Sequence, residues 1–132
     1  MAGRFPLYTD ADVNGVLVKA LRRTGWDLVR DMDLYPERTD DIVHFTRAAE
    51  MGRVLVACDR DQLEIAAQWL AQGRPFRGLI SWPQGYHPGL PIAAFVKAFE
   101  ALAEEPDDPF ATPGVIALEP QPQVAPSDLS QA

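Results

Sequence analysis

Aspartates directly follow two apolar runs of this sequence. Asp10 comes after the run Phe5–Thr9, and Asp59 and Asp61 come after the run Arg53–Ala57. If the two runs are neighbouring parallel strands, their carboxyl ends meet at the crevice where strand order reverses, and open α/β sheets bind ligands there. Carboxylates that share a crevice repel one another unless a cation neutralises them. The pattern therefore predicts a site for a hard divalent ion, Mg²⁺ or Mn²⁺, held by these three aspartates.

An open acidic site of this kind permits metal-assisted phosphodiester hydrolysis, in which the ion activates a bound water and stabilises the leaving oxygen. Helix capping is the plainer interpretation, because Asp10, Asp12 or Asp61 would each serve as the acceptor for a first helical turn. Capping is the commoner role for any one of them. A strand-end aspartate together with an Asp-x-Asp on the neighbouring strand favours metal binding.

The elements that must position these residues are short apolar runs that alternate with helical patterns, which is typical of βαβ units. The predicted strands are Phe5–Thr9, Trp26–Arg30, Arg53–Ala57, Gly78–Trp82 and an edge strand at Val115–Leu118. We expect an α/β domain with three α/β/α layers, whose mostly parallel central sheet of four to five strands has the order 2-1-3-4-5.

Between these strands the sequence predicts amphipathic helices and polar loops. An acidic loop is expected at Asp31–Glu37, and Thr39 or Asp40 is expected to cap the helix that follows. The predicted buried face of that helix consists of Ile42, Val43, Phe45, Thr46 and Ala49. His44 lies near its polar side without a second histidine at helical spacing, so a surface position is expected.

Length and composition indicate one domain. The 132 residues are 47% hydrophobic, and no apolar run approaches the roughly eighteen residues that a membrane span requires. We expect a folded domain over residues 1–118, a disordered Pro-rich tail over residues 119–132, and a cytoplasmic location with no membrane contact. The net charge of −7 comes from residues 100–132, which carry seven acids and no base. This charge neither supports nor excludes binding to a phosphate backbone.

Two segments carry a resemblance to a known family. Residues 8–27, with Tyr-Thr-Asp-Ala-Asp at the start and Gly-Trp-Asp at the end, resemble the opening of the small PIN-like domains, where Asp-Glu-Asn begins a helix that ends in Gly-His-Asp. Residues 39–61 are similar to that family's Ser-Asp-Glu-Glu-Val segment followed by a helix and by Gly-Arg-Val-Leu-Val-Thr-x-Asp-x-Asp-Phe. The resemblance covers about residues 5–82.

The resemblance implies a PIN-like fold and a metal-dependent ribonuclease, the toxin of a toxin–antitoxin pair. By position it assigns the family's metal-binding acids to Asp10, Asp59 and Asp61, and it makes Asp40 a further catalytic candidate. The implied partners are single-stranded RNA as substrate, an antitoxin protein and a second copy of the chain. Arg60 lies within the acidic segment and is the candidate residue for substrate binding.

Several positions depart from the family pattern. Asp12 stands where the family often has Asn, Ala57 replaces its Thr, and Gln62 replaces its Phe. Loss of hydrogen bonds that orient metal ligands commonly lowers affinity or activity about ten- to a hundredfold. The alternative is therefore a catalytically weak or inactive interaction module. A phosphoacceptor receiver domain is disfavoured, because it needs a lysine after its fifth strand and no lysine follows Lys97.

Overall fold

The computed structural model of the protein describes residues 3–11, 13–34, 40–82 and 91–120. Strands and helices alternate along these ranges. In chain order they are β1 (Leu7–Thr9), α1 (Gly15–Thr24), β2 (Leu28–Arg30), α2 (Asp31–Leu34), α3 (Asp41–Glu50), β3 (Val54–Ala57), α4 (Arg60–Gln72), β4 (Gly78–Ser81), α5 (Ile92–Glu104) and β5 (Val115–Ala117).

The strands form one parallel sheet of five strands in the order β2-β1-β3-β4-β5. Tyr8 of β1 is level with Val29 of β2 on one side and with Leu55 of β3 on the other. The predicted strand order is confirmed. All carboxyl ends of the strands consequently lie at the same edge of the sheet, which we call the carboxyl edge.

Helices cover both faces of the sheet. Successive side chains of a strand point to opposite faces of the sheet. Leu7 therefore packs in the core with α1 and α5, and Tyr8 packs in the core with α3 and α4. Val54 and Leu55 of β3 divide between the same two cores. The predicted three-layer α/β/α architecture is therefore confirmed.

The first helix has clear boundaries. Asn14 is its N-cap, and the side-chain oxygen of Asn14 accepts a hydrogen bond from Val16 N at 2.7 Å. Gly25 ends the helix with φ 111°, a left-handed conformation that glycine adopts without steric cost. Asn14 therefore caps α1 in place of Asp10, which the sequence had suggested as a cap. Asp12, the other suggested cap, lies outside the described residues.

The second amphipathic helix, α3, buries a different face from the one predicted. His44, Phe45 and Ala48 are its buried residues, whereas Ile42 is 45% exposed. The prediction was based on hydrophobic residue types. In the structure, the side of α3 that faces the core includes His44, which has polar contacts there. The segment predicted as an acidic loop also begins with the short helix α2, and residues 35–39 lie outside the described part of the chain.

Towards the C-terminus, β5 forms the edge of the sheet as predicted, and Leu118 and Pro120 beyond it are buried. The expectation of a disordered tail falls mainly on residues 121–132, which lie outside the described ranges. Among the residues that the structure describes, no helix has the length and apolar character needed to cross a membrane.

Close packing at the amino end of β4 requires a glycine. The ring of Phe110 occupies the space that a Cβ atom at Gly78 would enter. Phe110 is itself fixed in the core by an edge-to-face contact with Phe5, with ring centroids 5.1 Å apart. The ring therefore cannot withdraw without disturbing its neighbours.

We expect Gly78→Ala to lower the free energy of unfolding by about 1–3 kcal/mol, because the added methyl group overpacks a closed part of the core. The loss should appear in thermal unfolding as a fall of several degrees in Tm. Gly114→Ala is the matched control, since the nearest atom to its added Cβ is 3.9 Å away. Equal midpoints for the two variants would contradict this packing.

Candidate functional site

Three aspartates follow three adjacent strands at the carboxyl edge. Asp10 comes directly after β1, Asp31 follows the last residue of β2, and Asp59 lies two residues beyond β3. Since β1 pairs with both β2 and β3, these aspartates converge at the reversal of strand order. The amino end of α3 adds Asp41 and His44 to the same edge.

The buried part of this edge is the inner group, Asp10, Asp31 and His44. These side chains offer ligand atoms that all lie within 4.8 Å of one another. The three residues are only 3–4% exposed. His44 Nε2 lies 3.5 Å from Asp31 Oδ2. The inner group is therefore close enough to hold a metal ion.

The sheet fixes the imidazole of His44 in this group. A hydrogen bond of 3.0 Å joins His44 Nδ1 to the hydroxyl group of Tyr8, which lies on the same face of the sheet. This bond directs the other ring nitrogen, Nε2, toward Asp31. The expectation that His44 lies on the surface is wrong, because Tyr8 and Asp31 together supply the polar contacts that a buried histidine needs.

The two inner aspartates share one arrangement. Asp10 Oδ1 accepts a hydrogen bond from Ala11 N at 2.6 Å, and Asp31 Oδ1 accepts one from Met32 N at 2.7 Å. In each carboxylate the backbone holds one oxygen and leaves the other for side chains. The second oxygen of Asp31 is the one that faces His44.

The more accessible part of the edge is the outer group, Asp41, Asp59 and Asp61. Their carboxylate oxygens also lie within 4.8 Å of one another. Asp59 is the N-cap of α4, and its Oδ1 accepts a hydrogen bond from Asp61 N at 2.9 Å. Capping and clustering are therefore compatible here, since a carboxylate has a second oxygen free for another ligand.

Gln62 connects the two groups. It is fully buried, and its Nε2 donates hydrogen bonds to Asp10 Oδ2 at 3.3 Å and to the backbone oxygen of Asp41 at 3.1 Å. The amide thus ties the end of β1 to the start of α3. Its Oε1 is buried and accepts no hydrogen bond from the part of the chain that the structure describes.

Burial and like charges disturb the titration of two carboxyl groups. Burial, followed by the charge of Asp59, a hydrogen bond with Asp59 and the charges of Asp10 and Asp61, raises the pKa of Asp41 to about 7. Burial also raises the pKa of Asp31, although His44 and the Met32 N–H oppose the shift. At this edge burial and neighbouring carboxylates therefore both disfavour the charged forms of Asp31 and Asp41.

The site residues predicted from the sequence are distributed over the two groups. Asp59 and Asp61 lie together in the outer group, and Asp10 lies in the inner group. Asp40 is exposed at the N-cap position of α3, makes no capping hydrogen bond with its side chain and belongs to neither group. Arg60 is exposed at the start of α4 between Asp59 and Asp61.

Sequence reasoning missed Asp31, His44, Asp41 and Gln62. One signal pointed to Asp31, because it follows the predicted strand Trp26–Arg30 as Asp10 follows β1. Asp41 follows the Asp40 candidate by one residue, which is within the error of assigning a helix start from sequence. The burial of Gln62 had no signal in its local sequence.

Comparisons with protein-family models, curated proteins and solved structures found no match to this chain. The PIN-like resemblance therefore stays a prediction.

The raised pKa of Asp41 predicts how stability depends on pH in the absence of divalent ions. The folded state holds the proton of Asp41 up to about pH 7, whereas the unfolded chain releases it near 3.8. The contribution of this group to stability is therefore full below the unfolded value and is lost as the pH rises toward 7. Urea unfolding in chelator should show that Asp41→Asn, which mimics the protonated form, removes part of this decline.

The free energy of unfolding of Asp41→Asn should exceed that of wild type by little near pH 4 and by at most about 4 kcal/mol at pH 8. This value is an upper bound, because solvent screens the partly exposed Asp41. Asp40→Asn is the matched control, since Asp40 is the exposed neighbour outside the cluster. Parallel profiles of wild type and Asp41→Asn would show that neither burial nor the neighbouring carboxylates raise the pKa of Asp41.

Proposed function

We propose that this chain is a metal-dependent ribonuclease of PIN-like type, with Mg²⁺ or Mn²⁺ bound at the outer group. The observation that carries the proposal is the convergence of Asp41, Asp59 and Asp61 within 4.8 Å at the carboxyl edge of a parallel sheet. Asp10 borders this group, since its charge contributes to the raised pKa of Asp41. The proposal gives Asp41 the role that the resemblance gives to Asp40.

The donor set and exposure of the outer group suit these ions. Its ligands are carboxylate oxygens alone, which Mg²⁺ and Mn²⁺ prefer over nitrogen or sulfur. Asp61 is exposed, and Asp41 and Asp59 are partly exposed. A bound ion would therefore retain positions for water and for phosphate oxygens, as hydrolysis of a phosphodiester requires.

Residues of the chain would position the ion and supply the negative charge that binds it. Gln62 holds the end of β1 against the start of α3, which keeps Asp10 beside Asp41. A divalent ion bound there supplies a water of lowered pKa and stabilises charge on the leaving oxygen. The carboxylates supply the ligands that fix the ion at the mouth of the crevice.

Two arginines at the same edge offer contacts to an RNA backbone. Arg60 is exposed at the start of α4, beside the outer group. Arg30 ends β2, and its Nη2 atom lies 3.5 Å from the position that a Cβ would take at Gly15, the first residue of α1. Guanidinium groups and helix N-termini both contact phosphate oxygens in nucleic-acid complexes. Single-stranded RNA, an antitoxin partner, a homodimer and a cytoplasmic location stay expectations of this proposal.

Two observations favour the alternative, a catalytically weak or inactive interaction module. Gln62, in place of the family's Phe, donates a hydrogen bond from Nε2 to the carboxylate of Asp10, the residue that the PIN-like resemblance assigns to the ion. Ala57, in place of the family's threonine, is fully buried and brings no hydroxyl group to the edge. Slow turnover is therefore part of the proposal.

We expect the purified protein to cleave single-stranded RNA slowly with Mg²⁺ or Mn²⁺ and to stop in excess chelator. Asp59→Asn and Asp41→Asn should each lower the rate at least about tenfold, because each removes a charged ligand of the ion. Circular dichroism and thermal unfolding would show that the variants remain folded. Comparison of Asp41→Asn with Asp40→Asn decides which of the two residues serves the ion.

Asp107→Asn is the control for the loss of one carboxylate, because Asp107 is exposed in the segment between α5 and β5 and belongs to neither acidic group. Cleavage that persists in the Asp41→Asn, Asp59→Asn double variant would show that the activity comes from a contaminating nuclease. Mn²⁺ binding without any cleavage by wild type would favour the interaction module.

A further inference from the structure

We propose that the inner group is a second metal site, built for a divalent transition ion of the Zn²⁺ class, with Asp10, Asp31 and His44 as its ligands. This site differs from the outer group in depth and in chemistry. The outer group is partly exposed and offers only carboxylates, whereas the inner group is buried and includes an imidazole nitrogen. Imidazole favours Zn²⁺ and its neighbours over Mg²⁺.

The separation between donor atoms in the inner group fits an ion better than a direct hydrogen bond. His44 Nε2 and Asp31 Oδ2 are 3.5 Å apart, beyond the usual 2.7–3.2 Å of an N–H···O bond. Two donors that each lie about 2.1 Å from a tetrahedral ion are about 3.4 Å apart. The observed distance therefore suits two ligands of one tetrahedral ion.

The surroundings of His44 are those of a metal ligand. Histidines that bind metals through one ring nitrogen usually make a hydrogen bond with the other, which fixes the ring and its tautomer. In this protein the Tyr8 hydroxyl group occupies that position, 3.0 Å from Nδ1. With Nδ1–H donating to the Tyr8 oxygen, Nε2 presents its lone pair to Asp31 and the ion.

A buried amide oxygen is a second, independent feature of this site. Gln62 is 0% exposed, its Nε2 contacts Asp10, and its Oε1 accepts no hydrogen bond from any described residue. An unsatisfied buried acceptor is unfavourable, because it loses its hydrogen bonds to water without gaining others. Three protein ligands leave the fourth position of a tetrahedral ion to a water molecule. A donor of this kind beside Asp10 would satisfy Gln62 Oε1, because the amide of Gln62 already contacts Asp10 through Nε2.

Charge balance supports the same assignment. Two carboxylates and a neutral imidazole carry a charge of −2, which one divalent ion cancels. Buried charges in proteins are paired or coordinate metals, because an unpaired charge is strongly unfavourable away from water. All three ligand residues are at least nine-tenths buried, so the incentive for this neutralisation is large.

The test is Zn²⁺ titration of the full chain by calorimetry in millimolar Mg²⁺, which competes for the carboxylates of the outer group. Wild type and Asp33→Asn should bind one Zn²⁺, whereas Asp31→Asn and His44→Gln should lose that binding. Asp33 is the matched control, since it lies on the same short helix as Asp31 with its side chain 52% exposed. Tyr8→Phe keeps every ligand and should weaken Zn²⁺ binding about ten- to a hundredfold.

Imidazole nitrogen resonances report the ligand directly, even if a ligand variant folds poorly. The chain has two histidines, so His87→Gln leaves only the signals of His44. Zn²⁺ should shift Nε2 and leave Nδ1 protonated. Absence of Zn²⁺ binding by wild type, or His44 signals that do not respond to Zn²⁺, would overturn the inference.

The Zn²⁺ experiments and the RNA cleavage assay test the two proposals separately. Cleavage of RNA with Mg²⁺ by a protein that binds no Zn²⁺ would overturn the inner site alone. Binding of Zn²⁺ through His44 by a protein that cleaves no RNA would overturn the ribonuclease alone.

Discussion

Parallel pairing of β1 with both of its neighbours is the constraint on which the acidic edge depends. It places the ends of β1, β2 and β3 side by side, and Asp10 continues the pairing through a hydrogen bond from its backbone N to Val56 O at 3.1 Å. Asp10 is consequently held by β3 as well as by its own strand. The positions of Asp31 and Asp59 relative to Asp10 follow from the sheet rather than from loop conformation.

The like charges gathered by the sheet are only partly compensated within the protein. Backbone N–H groups hold one oxygen of Asp10 and one of Asp31, and Gln62 donates to the other oxygen of Asp10. Neutral donors orient a carboxylate without cancelling its charge. Burial is the largest cause of the raised pKa values of Asp31 and Asp41, and the charges of neighbouring carboxylates add to it. A bound cation would neutralise these carboxylates, so the arrangement favours metal binding over a purely structural role.

The sequence predicted the parts of the site that depend on strand order, and it missed those that depend on helix rotation. The placement of Asp10 and Asp59 at one edge needed only alternating apolar runs and the rule for strand reversal. His44 was missed because its burial depends on Tyr8, which is 36 residues away and reaches it only across the α3 face of the sheet. Gln62 was missed for a similar reason, since its partners Asp10 and Asp41 come from two other elements.

Helical spacing explains how the first turn of α3 contributes a residue to each of the two groups. Asp41 and His44 are three residues apart on α3, so they lie on neighbouring parts of one helix surface at different depths. Asp41 joins the carboxylates at the mouth of the crevice, and His44 reaches the buried strand ends. Asp10 lies between them and acts on both, because its charge contributes to the raised pKa of Asp31 and to that of Asp41. A cation beside Asp10 would offset this charge, so the occupancy of the inner group would set the electrostatic field that the outer group experiences.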